Sequence, residues 1–179
     1  MLCIAALVRM TSPGPAIFRQ KRVGERGREF NILKFRTMVQ NAEQLGGTNT
    51  FAGDPRITPL GRILRKAKLD ELPQLINVLR GEMSFVGPRP MPPADVALYD
   101  ERQRQVLLAR PGVTGLTQLR FAHEEELLAQ VEDPDRYSEE VLLPAKLESD
   151  LEYLRTRSLW SDIKLLLLTP LSVLRRRAY

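Results

Sequence analysis

The chain has 179 residues, enough for one domain with a real core, and its formal net charge of +5 hides a block pattern. Residues 1–80 carry 14 basic and 6 acidic side chains, residues 81–150 carry 7 and 14, and residues 151–179 carry 6 and 2. The basic first block fits anionic substrates or a lipid surface; the acidic middle and the lack of a known nucleic-acid motif leave a basic nucleic-acid-binding module as the weaker alternative.

Met1 to Val8 is apolar, closes at Arg9 and meets a breaker, Ser12-Pro13-Gly14-Pro15. It is too short for a spanning helix, which needs about 20 residues, and it lacks the basic start and cleavage site of a signal peptide. Ala16 to Val23 and Glu29 to Arg36 read as strands joined by a turn at Gly24 to Arg28. Such a hairpin places Lys34 and Arg36 on one side, where both could reach a phosphate or simply face solvent. Gly46 to Thr50 reads as a flexible polar link. Thr58-Pro59 starts a helix running to about Ala67, with Thr58 as cap, that delivers Arg62, Arg65 and Lys66.

After Asp70 the pattern is helical: Leu72, Leu75, Ile76 and Leu79 fall at i, i+3, i+4 and i+7, Pro73 lies in the first turn, and Gly81 supplies the stop. Pro92-Pro93 opens a further helix that ends at Arg110-Pro111-Gly112. Glu124 to Glu140 reads as a solvated acidic helix and loop. Ser158 to Arg177 is Leu-rich, carries Trp160 and ends in three arginines, with a kink or break expected at Pro170. It suits a membrane interface or a core helix with a basic last turn. Cys3 and His123 each stand alone, so no disulfide framework, zinc cluster or Ser-His or Cys-His dyad is assembled. Catalysis then rests on carboxylates and arginines, with or without a metal ion.

The adjacent carboxylates Asp70 and Glu71 stand between Arg65 and Arg89. An Asp before a helix is most often only a cap, worth about 1 kcal/mol. In that position the helix dipole and Arg65 would also keep Asp70 a ready anion at neutral pH. Gly87-Pro88-Arg89-Pro90 tips the balance toward chemistry, because two prolines stiffen the backbone around one arginine and so aim a guanidinium. Carboxylates among guanidinium groups point to reactions at phosphate.

The string LDELPQLINVLRGEMSFVGPRP (Leu69 to Pro90), with SPGPAIFRQKRVG (Ser12 to Gly24), KFRTM (Lys34 to Met38), DPRITPLGRILR (Asp54 to Arg65) and RPGVTG (Arg110 to Gly115), resembles the bacterial sugar transferase family. These are small monotopic polyprenyl-phosphate phosphoglycosyl transferases, and the resemblance covers Ser12 to about Leu174. It implies an α/β (α+β) fold, mainly helical with a small hairpin or sheet, on the cytoplasmic face of the bacterial inner membrane. Residues 1–11 would be the remnant of a membrane-inserting helix whose first arm the family usually carries, and 12–179 the catalytic domain.

The resemblance further implies transfer of a phosphosugar from a nucleoside diphosphate sugar, expected to be a UDP-sugar, to polyprenol (undecaprenyl) phosphate, a first membrane step of exopolysaccharide, O-antigen or glycoconjugate synthesis. Carried onto this chain, Asp70 is the nucleophile that forms an aspartyl-phosphosugar, Glu71 holds Mg²⁺, and Arg65, Arg89, Lys34, Arg36 and Arg110 bind phosphate. Thr117-Gln118-Leu119-Arg120-Phe121 stands where many relatives carry a tryptophan and a short Gly-Arg segment, so the sugar is not fixed by analogy. A catalytically impaired membrane scaffold is the other alternative, opposed by the intact carboxylate pair.

Overall fold

The first helix, α1 (Leu2–Thr11), ends where Ser12 turns extended, and its buried Val8 docks on Phe35 and Leu64. The computed structural model describes residues 1–45 and 50–175. The expected link at 46–49 and the arginines at 176 and 177 lie outside the described residues, as does the side chain of Arg175. β1 (Ile17–Val23) and β2 (Glu29–Phe35) form the expected antiparallel hairpin, with Phe18 opposite Lys34 and Val23 opposite Glu29. Arg26, in the left-handed region at φ 57°, and Gly27 close the turn.

α2 (Pro59–Lys66) is capped as its sequence predicts: the Gly61 N–H donates to Thr58 Oγ1 at 2.9 Å, and Pro59 occupies the first turn. A β-carbon on Gly61 would lie 2.0 Å from the Thr37 carbonyl oxygen, so only glycine lets α2 lie directly on the segment after β2. The loop before α2 is fixed by a buried bidentate pair, Arg56 Nη2 to Asp54 Oδ2 at 2.7 Å with Nε on the same carboxylate.

The next stretch departs from expectation. Leu69–Glu71 forms a single 3₁₀ turn, and α3 (Gln74–Leu79) begins only after Pro73. Asp70 therefore caps nothing: no side chain caps α3 at Pro73. The apolar face also fails at its end, because Leu79 is 88% exposed while the polar Gln74 and Asn77 are 2% and 0% exposed. Gly81, at φ 75°, does stop the helix.

β3 (Ser84–Val86) then runs parallel to β4 (Gly112–Thr114), a pairing with too few residues to leave a periodic signal. At its end the backbones touch: a β-carbon on Gly112 would lie 2.1 Å from the Gly87 nitrogen. Between these strands the single helix expected from Pro92 to Arg110 is replaced by α4 (Pro93–Ala97) and a 3₁₀ segment, Gln103–Leu108. The cause is a reciprocal turn, in which the Gln103 N–H donates to Asp100 Oδ1 and the Asp100 N–H to Gln103 Oε1, starting the second piece afresh.

α5 (Leu116–Arg120), α6 (Glu124–Leu128) and α7 (Pro134–Tyr137) lead through a π turn, Ser138–Leu142, into α8 (Leu143–Thr156) and α9 (Leu159–Arg175). Leu143, Leu147 and Leu151 of α8 close a core with Val23, Val96, Tyr99 and Val106, tying the hairpin to the C-terminal half. α9 lays Leu165 against Val86 and Tyr153. Pro170 sits within α9, which continues past it rather than breaking. The described residues form a helix-rich α+β domain with two two-stranded sheets.

Candidate active site

The turn Leu69–Glu71 points two carboxylates into a ring of cations. Its entry is set by Lys68, held in the left-handed region at φ 56°, which ends α2 and swings the pair toward β2. Glu71 Oε1 accepts from Lys34 Nζ at 2.9 Å and lies 4.0 Å from Arg89 Nη1. Burial pushes the Glu71 carboxyl up, but Lys34, Arg89 and Lys68 outweigh it and hold the group well below the usual carboxylate range. Lys34 is pulled the other way, its pKa lowered by burial against the attraction of Glu71.

Asp70 differs sharply from its neighbour. It is 6% exposed, and its Oδ1 is buried without a hydrogen-bond partner. Burial and the charge of Glu71 raise its pKa, and Lys34, Lys68 and Arg65 only partly offset them. The helix N-terminus expected to favour the ionised form of Asp70 is absent. The dipole that would have favoured the charge belongs to a helix starting beyond Pro73. A carboxylate that keeps one oxygen buried without a donor is more basic, which suits a nucleophile.

Arg89 is aimed by its surroundings as well as by its prolines. The Gly87 N–H donates to the Thr114 carbonyl and the Gly112 N–H to that of Pro88. Arg22 Nη1 donates to the Pro90 carbonyl at 3.2 Å, and the Val23 N–H to that of Met91. From α8, the buried Asp150 accepts from Thr117 Oγ1 at 2.6 Å, and the Arg89 main-chain N–H also favours its charged form. Burial nonetheless pushes Asp150 up to about 6. Arg22 falls to about 10, because it is buried and faces Arg89.

Lys34, Arg89 and Arg65 are thus gathered around the pair. Arg65 reaches Thr37 Oγ1 through Nε and Glu125 Oε1 through Nη1, at 3.1 and 3.2 Å, while its charge acts on Asp70. Arg36 and Arg110 turn elsewhere: Arg36 Nη2 donates to the carbonyl and hydroxyl of Ser12, and Arg110 Nε lies 3.7 Å from Glu25. The acidic stretch is also less idle than expected, since Glu124 takes the buried Lys146 and Glu125 takes Arg65. Arg22, Lys68 and Asp150 were missed. Asp150 had a signal: Leu143, Lys146, Leu147, Asp150 and Leu151 share one helix face, and two charges on an otherwise apolar stripe are out of place.

Among the described residues no group of three or more His, Cys, Asp or Glu side chains could cage a metal. Mg²⁺ asks for less, one or two carboxylates completed by water and substrate phosphate. The orphaned Asp70 Oδ1 and the second oxygen of Glu71, whose ion pairs both run to Oε1, fit that shared kind of site.

A carboxylate with a buried, unbonded oxygen beside a cation-locked one, under an arginine loop pinned by main-chain hydrogen bonds, forms the candidate active site. The model of the bacterial sugar transferase family matches residues 1–176, and the chain belongs to that family. It is 43% identical over 178 residues to a UDP-glucose:undecaprenyl-phosphate glucose-1-phosphate transferase of Caulobacter vibrioides, covering 97% of this chain and 62% of the relative. A UDP-N-acetylgalactosamine-undecaprenyl-phosphate N-acetylgalactosaminephosphotransferase of Aeromonas hydrophila is 37% identical over 97% of this chain and 39% of its own length. The exopolysaccharide production protein ExoY of Rhizobium meliloti is 34% identical over 99% of this chain and 79% of its own. The chain spans under two thirds of the first two relatives.

Proposed function

We propose that this chain transfers a phosphosugar from a UDP-sugar to undecaprenyl phosphate, giving an undecaprenyl diphosphate sugar and UMP. The observation that carries the reading is Asp70 Oδ1, buried and unbonded beside the cation ring of Glu71. Asp70 attacks the sugar-proximal phosphorus, the bond from that phosphorus to the bridging oxygen breaks, and UMP departs. A phosphate oxygen of the lipid then attacks the same phosphorus, and the bond to Asp70 breaks to restore the carboxylate. Dividing the exchange into two displacements lets one small site serve a water-soluble donor and a lipid acceptor in turn.

Glu71 and Asp70 would hold Mg²⁺, which when bound neutralises diphosphate oxygens and eases departure of UMP. Lys34 fixes Glu71, and Arg89 offers its planar fork to the phosphates. Arg65 neutralises the entry to Asp70. The relatives that name different sugars support the class of donor but not one sugar.

A lipid acceptor calls for contact with a bilayer. Among the described residues no helix is long and apolar enough to cross a membrane. α1 exposes Leu2, Leu7 and Met10, and α9 exposes Leu159, Trp160, Leu167 and Leu171, apolar surface suited to an interfacial, monotopic or peripheral seat on the cytoplasmic face of the inner membrane. The test is incubation of detergent-solubilised protein with a panel of UDP-sugars, Mg²⁺ and undecaprenyl phosphate. UMP release is expected with at least one donor, and wild-type protein quenched after donor alone should carry a phosphosugar adduct at Asp70. An adduct mapping elsewhere overturns the mechanism.

A further inference from the structure

Asn77 is the least exposed polar residue of α3, at 0%, and its side-chain hydrogen bonds run to Leu33, Asn31 and Glu82 rather than to the candidate phosphate-binding groups. Its side chain lies on the open edge of β2. In the hairpin, alternate residues of β2 turn their main-chain groups toward β1, and those between turn outward. The outward Leu33 N–H donates to Asn77 Oδ1 at 3.1 Å, and Asn77 Nδ2 donates to the Asn31 carbonyl at 2.8 Å. These two contacts bracket the strand as a neighbouring peptide group would. The amide orientation is fixed by chemistry, since only an oxygen can face the Leu33 N–H and only the NH₂ can face a carbonyl.

The second proton of that NH₂ is taken by Glu82 Oε2 at 2.7 Å. The Asn77 carbonyl in turn accepts the N–H groups of Glu82 and Met83, at 3.0 and 3.2 Å. Asn77 thus joins three segments: β2 with Lys34, the 71–77 stretch with Glu71, and the turn entering β3 and the Arg89 loop.

We propose that Asn77 is a positioning residue that stands in for a third strand on the edge of β2, sets the register of Lys34 against Glu71, and is itself held by Glu82. Lys34 follows directly after Leu33, so its Nζ can meet Glu71 Oε1 only when β2 is held at that height. The proposal rests on the reading of Lys34 and Glu71 as working parts of the site. A loosened edge would let Lys34 wander by an ångström or so, and misplacement on that scale can cost about a hundredfold in rate.

The test combines residue-resolved amide exchange with a double-mutant cycle. In wild-type protein the Leu33 amide should exchange far more slowly than an unprotected edge amide. Asn77→Asp keeps an acceptor for Leu33 but sets carboxylate oxygen against the Asn31 carbonyl and Glu82. It should speed Leu33 exchange and lower kcat by about tenfold or more while moving the donor KM far less. In a Lys34→Gln background the same change should add little, because its effect runs through Lys34.

An equal fold-loss in both backgrounds makes Asn77 a purely structural residue and overturns the proposal, as does a fast-exchanging Leu33 amide in wild type. If Asn77→Asp does not fold, Glu82→Leu removes only the outer acceptor and should give smaller changes of the same sign. No change in exchange or turnover there overturns it too. If wild-type protein releases no UMP from any UDP-sugar, the proposed function fails, and the exchange measurements still decide whether Asn77 holds β2.

Discussion

The Thr117 hydroxyl donates to Asp150 Oδ1 at 2.6 Å, placing a buried carboxylate under the backbone of Arg89. Burial pushes Asp150 up to about 6 in the folded chain, above its ordinary value of 3.8. Folding therefore favours its protonated form, so its contribution to stability is full below about pH 4 and is lost as pH rises to about 6. Asp150→Asn should remove that slope, seen as a flatter denaturant midpoint between pH 4 and 6. Turnover should fall as well, since the amide is a weaker acceptor for the Arg89 N–H and the loop loses its grip.

Asp70→Asn should abolish UMP release and adduct formation while leaving the fold intact. Because burial raises the Asp70 pKa, ionised Asp70 costs stability at neutral pH, and the neutral amide should leave the melting temperature unchanged or higher. A capping role would predict the reverse, a loss of about 1 kcal/mol with turnover retained. Thermal unfolding and intact mass on the same preparation check both halves.

Glu71→Gln should be damaged in two ways. Breaking a buried ion pair costs about 3–5 kcal/mol, and the partial exposure of Lys34 puts this loss at the low end. Activity should fall severely, and raised Mg²⁺ should recover part of the turnover but none of the stability. Denaturant unfolding beside a Mg²⁺ titration separates the two.

Arg89→Lys keeps the charge and loses the fork, so turnover should drop about tenfold or more if phosphate is gripped at two points. Full activity would mean that a point charge suffices. Steady-state rates with one UDP-sugar measure it.

The protein should sediment with membranes, resist extraction by high salt and release into detergent, because α1 and α9 expose large apolar side chains such as Leu2, Met10, Leu159 and Trp160. Replacing Trp160, which is 80% exposed, by Ser should weaken vesicle binding. Release of all the protein by salt alone would leave only an electrostatic contact.

Local chemistry was legible and distant chemistry was not. The hairpin, the Thr58 cap and the Gly81 stop follow from neighbours in sequence, and so does the Arg89 loop between its prolines. Asp70 was misread because the 69–79 pattern looks helical throughout, and nothing local says that Pro73 ends one turn and starts another. Lys34 and Arg36 share a strand face, yet only contacts from other segments decide that one meets Glu71 and the other Ser12. Nothing in its neighbours in sequence marks Asn77. Its purpose lies in an edge strand 44 residues earlier.

The span of these contacts bears on how the molecule is made. Lys34 waits for Glu71 across 37 residues, and Arg65 for Glu125 across 60. Asp150, which steadies the Arg89 loop, comes later still. During synthesis the early hairpin and α2 can form while the reactive turn is still unfastened, and the centre closes only when α8 docks. Competence should therefore come late in synthesis, because the Arg89 loop gains its Asp150 support only once α8 has emerged.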